Sequence, residues 1–239
     1  PSAQLRELAT GKPRGESFAI HETILALQFM ADGRLVSGSF DTLLRLWDPG
    51  TREAIGGPVE HQGPVQTLAV NADGTQLASG GGDNTARVWN TDSLSAAGVP
   101  LAHPAAVSCL AFLPNRHSLV TGCLDGAARI WDLASDSAPT PPLLLPSPPR
   151  APLVFRPDGK VLAACSADGT FCLYDVERGQ LRVQSRQHDQ AVLVLTITPD
   201  GRSFVTAGDD GRIRVWDSDT GQLRFRSPPV PPLDAQCDV

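Results

Sequence analysis

An aspartate returns along this chain at near-constant spacing: Asp41, Asp83, Asp125, Asp168 and Asp210 stand 42, 42, 43 and 42 residues apart. Four residues before each lies a small side chain, Ser37, Ser79, Thr121, Ala164 and Thr206. Six residues after each lies an aromatic one, Trp47, Trp89, Trp131, Tyr174 and Trp216. Such a period demands units that cannot bury an apolar face alone and must stack on their neighbours. The repeats fill Ile20 to about Ser227 of the 239 residues, which leaves no room there for a second globular domain.

Within a unit the residues read as strands. In the second, Val65, Thr67, Leu68 and Val70 form an apolar run, Asn71-Ala72-Asp73-Gly74 turns the chain, and Leu77-Ala78-Ser79-Gly80 returns. Asp83-Asn84 turns it again before Ala86-Arg87-Val88-Trp89, and a looser polar strand follows Asn90. Asp-Gly supplies the left-handed backbone that a tight hairpin needs. Further turns of this kind are Ala31-Asp32-Gly33, Pro157-Asp158-Gly159 and Pro199-Asp200-Gly201, with Pro114-Asn115-Arg116 as the variant. Four antiparallel strands per unit make one small sheet.

The third strands end in Trp47-Asp48, Trp131-Asp132 and Trp216-Asp217, with Trp89-Asn90 and Tyr174-Asp175 as variants. At these residues the chain resembles the WD-repeat (WD40) β-propeller family, whose defining feature is a Trp-Asp pair there. The resemblance implies an all-β propeller with five four-stranded blades at about 20–60, 61–102, 103–145, 146–187 and 188–227. The family's Gly-His opening is weaker: His21, His61, His103 and His188 remain, but none follows a Gly. Gln4 to Gly11 aligns with Arg214 to Gly221, so residues 1–20 read as the third and fourth strands of a preceding, partial blade. Residues 228–239 read as a disordered tail. Five and a half blades starting at Pro1 suggest the C-terminal part of a longer, bacterial-type protein. A tight five-bladed ring and closure by a second chain are the alternatives.

The resemblance also implies a hydrogen-bonded network in each blade, of His, Ser or Thr, turn Asp and strand Trp. By position these are His21–Ser37–Asp41–Trp47, His61–Ser79–Asp83–Trp89, His103–Thr121–Asp125–Trp131 and His188–Thr206–Asp210–Trp216. A hydroxyl, an imidazole and a carboxylate are also the parts of a nucleophilic triad. A catalytic site is needed once, however, whereas this set recurs with the period, so no catalytic residue is assigned. A buried carboxylate needs donors and an indole N–H needs an acceptor, which gives the set a structural purpose. In the fourth unit Pro146, Ala164 and Tyr174 replace His, hydroxyl and Trp, so Asp168 has only turn amides or solvent to bond. That unit is expected to be the least rigid.

A net charge of −6 repels phosphate backbones and argues against a nucleic-acid partner. Arg45, Arg87, Arg129 and Arg214 recur two residues before the strand aromatic, which favours a structural role over a basic patch. Cys109, Cys123, Cys165, Cys172 and Cys237 contain no C-x-x-C pair and read as small buried hydrophobes, so neither metal nor cofactor is expected. No apolar run reaches the roughly 18 residues of a membrane span and no signal peptide opens the chain, which leaves the cytoplasm as the default location. Seven Pro between Ala138 and Pro152 mark a loop or an outer edge strand. The first strands, with Leu27, Phe29, Leu68, Val70, Leu110, Phe112, Leu195 and Ile197, are expected to line a central channel and offer it no acids.

The resemblance implies a non-enzymatic scaffold that binds a protein or peptide on its loop face. Glu22, Phe40, Gln62, Leu124, Asp189 and Asp209 are the candidate contacts, because they flank the network. Phe40 and Leu124 immediately precede a turn Asp, where structure demands nothing so apolar, and such anchors suit partner binding. The alternative is a sensory or regulatory module of a larger signalling enzyme, such as a bacterial protein kinase, with its catalytic domain upstream. An open propeller edge offers a further surface for self-association.

Overall fold

A computed structural model describes residues 3–7, 9–18, 22–114, 117–134, 141–149 and 151–229. His21, Asn115, Arg116, Cys237 and most of the expected tail lie outside the described residues. Among the described residues twenty strands form five four-stranded sheets, and in each the strand order follows the chain, so neighbours join as antiparallel hairpins. The first sheet holds β1 (Ile24–Phe29), β2 (Leu35–Ser39), β3 (Leu43–Trp47) and β4 (Val59–Glu60). The second holds β5 (Val65–Val70), β6 (Gln76–Gly81), β7 (Thr85–Asn90) and β8 (Leu101–Ala102). The third comprises β9 (Val107–Phe112), β10 (Ser118–Cys123), β11 (Ala127–Asp132) and β12 (Leu143–Leu144). The fourth comprises β13 (Val154–Phe155), β14 (Val161–Cys165), β15 (Thr170–Asp175) and β16 (Gln180–Arg186). The fifth runs through β17 (Val192–Ile197), β18 (Ser203–Gly208), β19 (Ile213–Asp217) and β20 (Leu223–Arg226).

Two turns per sheet set this geometry. Between first and second strands Gly33, Gly74, Gly159 and Gly201 take φ of 88°, 75°, 69° and 70°, the left-handed backbone that glycine adopts without a Cβ clash. Between second and third strands the residue after the periodic Asp is left-handed every time: Thr42, Asn84, Gly126, Gly169 and Gly211. The Pro-rich stretch contributes β12 as an edge strand on β11, where missing N–H donors cost no ladder bond.

The chain divides into two compact units, Pro1–Leu110 and Ala111–Val239. In the first, Val36, Leu44 and Leu46 of the first sheet pack on Val65, Leu77 and Trp89 of the second. Gly38 allows the approach, since a Cβ there would stand 2.6 Å from Val65 Cγ1. A hairpin bridged at Ala3–Phe18 and Arg6–Pro13 lies against the first sheet, where Phe18 meets the Trp47 ring edge-on at 5.8 Å. In the second unit Val161, Ala163, Cys165, Phe171 and Leu173 of the fourth sheet face Val192, Leu195, Phe204 and Trp216 of the fifth. The Phe171 ring stacks on Trp216 at 4.5 Å.

One expectation needs correction. Leu68 and Val70 pack into the core between the first two sheets, and Leu195 and Ile197 into that between the last two, so these side chains serve sheet-to-sheet packing instead of a channel lining. The fourth sheet, expected to be the least rigid, is buried at every residue of β14 and at all of β15 except Asp175. Apolar packing has taken the place of its missing polar set.

Candidate functional site

The second sheet shows what the periodic residues do. Ser79 on β6 lies opposite Arg87 on β7, and Trp89 two residues on points to the same face. Trp89 Nε1–H donates to Ser79 Oγ at 2.8 Å, and Ser79 Oγ lies 2.6 Å from His61 Nε2. His61 Nδ1 lies 3.2 Å from the Asp83 carboxylate. One proton arrangement satisfies the chain of bonds: the indole donates to the hydroxyl, the hydroxyl to Nε2, and Nδ1–H to the carboxylate. The imidazole is then neutral. Burial is the main influence holding His61 below its ordinary pKa, with the Arg87 cation adding to it and Asp83 opposing it. Burial alone would raise the Asp83 carboxyl, but the Gln62 amide, the Thr85 hydroxyl and amide, and His61 outweigh it and keep the group below its usual range.

The fifth sheet brings the same four groups together. Trp216 Nε1–H donates to Thr206 Oγ1 at 2.8 Å, which lies 2.8 Å from His188 Nε2, and His188 Nδ1 is 3.2 Å from Asp210. Here Arg214, fully buried, adds a guanidinium 2.8 Å from Asp210 and 2.6 Å from His188 Nδ1. Burial and the Arg214 cation both press His188 below its ordinary pKa.

In the first sheet Trp47 donates to Ser37 at 2.9 Å, and Asp41 accepts the Leu43 amide and pairs with Arg45 at 2.6 Å. In the third sheet Trp131 donates to Thr121 at 2.9 Å and Asp125 pairs with Arg129 at 2.6 Å. His103 is buried in the first unit, with Nδ1 2.8 Å from the Leu101 carbonyl. In the fourth sheet Asp168 accepts the Thr170 amide, while the Tyr174 hydroxyl donates to the Leu144 carbonyl at 2.7 Å.

Sequence reasoning left two parts of this machinery unassigned. The repeated Arg is an ion-pair partner of the turn Asp four residues earlier, at 2.6, 3.7, 2.6 and 2.8 Å in the four sheets that have it. Its fixed offset from Asp was the available signal, and in the fourth sheet Cys172 replaces it. The Asp of the Trp-Asp pair caps the next turn: Asp48 accepts the Gly50 and Thr51 amides, and Asp217 those of Asp219 and Thr220.

Chemically these groups are spent. Ser79, His61, Thr206 and His188 are at most 1% exposed, and each hydroxyl is held between an indole and an imidazole, so none is presented to a substrate. Buried thiols fare likewise: burial pushes Cys172 up to about 11 and Cys165 well above the ordinary thiol range. Among the described residues no three His, Cys, Asp or Glu side chains gather as a metal site would require.

The candidate contact residues are on the surface. Glu22, Gln62, Asp189 and Asp209 are exposed. The main-chain amides of Gln62 and Asp189 bond to Asp83 and Asp210, which fixes those loops to the network. Phe40 is 61% exposed in the first unit and Leu124 is 47% exposed in the second, at the same position of their repeats.

The family described as WD domain, G-beta repeat, matches residues 12–48, 57–90, 98–132, 153–175 and 179–217. No curated protein matches the chain. Repeats of this family generally mediate protein–protein interaction and are typically not catalytic.

Proposed function

The chain belongs to the WD40 repeat family, and from that membership we propose that it is a non-enzymatic scaffold binding a protein or peptide partner at the loop ends of its blades. The observation that carries this reading is the exposure of Phe40 and Leu124, each directly before an Asp whose carboxylate is committed to an amide and an arginine. A rigid backbone presenting an apolar side chain to water loses little entropy on binding and gains its burial. Glu22, Gln62, Asp189 and Asp209 supply polar contacts around the same kind of loop, and the three carboxylates suit a partner with basic or amide donors. The chain's net charge of −6 disfavours nucleic acid in that role.

Affinity capture with the chain as bait tests the reading. Phe40→Ala and Leu124→Ala should each reduce the recovered partner, whereas Val99→Ala, at a residue 73% exposed and away from the turn Asp, should not. Equal recovery with all three variants would defeat the proposal.

A further inference from the structure

We propose that the outer edge of β16 is a docking site for an extended acidic segment of a protein partner, added to the fourth sheet as a further strand. The other outer strands are short and interrupted. β4, β8 and β12 have two residues each, and Gly56-Gly57-Pro58, Gly98-Val99-Pro100 and Pro141-Pro142 stand directly before them. β20 has four and runs through Ser227 into Pro228-Pro229. Such breaks deny an incoming strand its ladder of hydrogen bonds. β16 has no such break, because its seven residues, Gln180–Arg186, include neither Gly nor Pro.

The main chain of this edge is turned to receive a partner. Ser185 pairs with Phe171 and Val183 with Leu173. Ser227, which holds the place of Ser185 in the fifth sheet, donates its N–H to the Ile213 carbonyl. Ser185 and Val183 therefore turn their main chain toward β15, and by alternation Gln184 and Arg186 turn theirs outward. β16 is the last strand of its sheet, so these outward groups meet no strand among the described residues.

Charge identifies the occupant. Arg182 and Arg186 are exposed, Arg186 donates to the Asp168 main-chain carbonyl, and among the described residues no carboxylate pairs with either. On β20, by contrast, Arg224 and Arg226 are engaged by Asp217 and Asp189. Two cations without counter-ions beside an open ladder suit a strand with carboxylates on alternate residues, main-chain bonds giving affinity and cross-strand charge pairs giving choice. A second copy of β16 fits poorly, because antiparallel pairing about Gln184 sets Arg182 against Arg186. Repeats of this family generally mediate protein–protein interaction, which makes a protein the source of the strand. The edge belongs to a different sheet from Phe40 and Leu124 and stands apart from the loop-end reading.

The probe is a fluorescent peptide of alternating glutamate and valine, seven residues long to match β16, titrated with the full chain. One control carries lysine for glutamate; a second has N-methylated amides, which keeps the charge and removes the ladder donors. Only the parent peptide is expected to bind, with slowed hydrogen exchange at the Gln184 and Arg186 amides. Arg182→Glu and Arg186→Glu should each weaken binding about threefold or more. Arg182→Glu breaks no bond of the fold, so it carries the test alone if Arg186→Glu lowers the thermal midpoint. Phe40→Ala and Leu124→Ala should leave binding unchanged, so this site and the loop-end reading fail separately. The proposal is overturned if the parent peptide fails to bind, if either control binds as well, if Arg182→Glu has no effect, or if exchange slows elsewhere than at β16. Sedimentation of the chain alone as a dimer that Gln184→Pro dissociates would assign the edge to a second copy. A rise in peptide affinity of about tenfold or more on combining Asp234→Asn with Asp238→Asn would assign it to the chain's own residues 230–239. Either result overturns the proposal as well.

Discussion

Thr42 holds φ of 73° at a position where the other repeats place Asn84, Gly126, Gly169 and Gly211. A β-branched side chain in left-handed backbone is strained by roughly 1–2 kcal/mol, because its Cβ crowds the following carbonyl. Thr42→Gly removes that strain and gives back part of the gain as unfolded-chain entropy, so a net stabilisation of about 0.5–1 kcal/mol is expected in urea denaturation. Gly169 tests the same position from the opposite side. It has φ of 86°, and a Cβ would stand 2.3 Å from the His188 carbonyl oxygen, which belongs to the backbone and cannot swing aside. Gly169→Ala should therefore destabilise by about 3 kcal/mol or more, and a variant as stable as the parent would contradict this account. The Asp landmarks were plain in the sequence, but this conformation was not. Thr, Asn and Gly in one column share no chemistry, and only the backbone angle unites them.

Within a blade, acidity acts on the His–Asp pair through two groups with the same sign. His61 and His188 have pKa values lowered on folding from 6.5, so the unfolded imidazoles take up protons first as pH falls. Their contribution to stability is full above 6.5 and is lost as pH drops toward the folded values. Asp83 and Asp210 are lowered from 3.8, so theirs is present above 3.8 and is lost as pH falls through the folded values. The thermal midpoint should decline from just below pH 6.5 and fall again below pH 3.8, and a flat profile between 7.5 and 5 would remove the buried neutral imidazoles from the explanation. Asp83→Ala strands the His61 N–H, the Gln62 amide and the Thr85 donors, an expected loss of about 1–3 kcal/mol. Asp168→Ala should cost clearly less, since its carboxylate accepts the Thr170 amide while Arg186 binds the main-chain carbonyl, which the substitution keeps. Equal losses in chemical denaturation would show that the network adds nothing beyond the turn. The polar types and spacing of this set were legible in the sequence because they recur. The arginine's ion pair was harder to see, because strand periodicity alone gives its face but not its partner.

Across whole sheets, the period of 42 residues made the five-fold repetition readable, whereas the direction of each first strand was not. Alternation in β5 or β17 tells that two faces differ, and it does not tell which neighbour each face meets. Packing decides that: Leu195, Phe204 and Trp216 of the fifth sheet close on Phe171 and Leu173 of the fourth. Tyr174, Ala164 and Cys172, which break the polar pattern, are buried on the opposite face of the fourth sheet, where the Tyr174 hydroxyl donates to the Leu144 carbonyl. Phe171 lies on the face toward the fifth sheet, fully buried, stacked on Trp216 and tilted 6.1 Å from Phe204. Phe171→Ala should cost about 3–5 kcal/mol, because the void opens between two sheets that neither can close alone. Since the stacked partner belongs to the fifth sheet, the loss should also reach it: Trp216 fluorescence and the exchange of β18 amides should report the same destabilisation as the fourth-sheet amides. A variant whose fourth sheet loosens while β18 keeps its parental protection would show that the two sheets are stabilised separately, and that stacking across them is incidental to how this chain holds its shape.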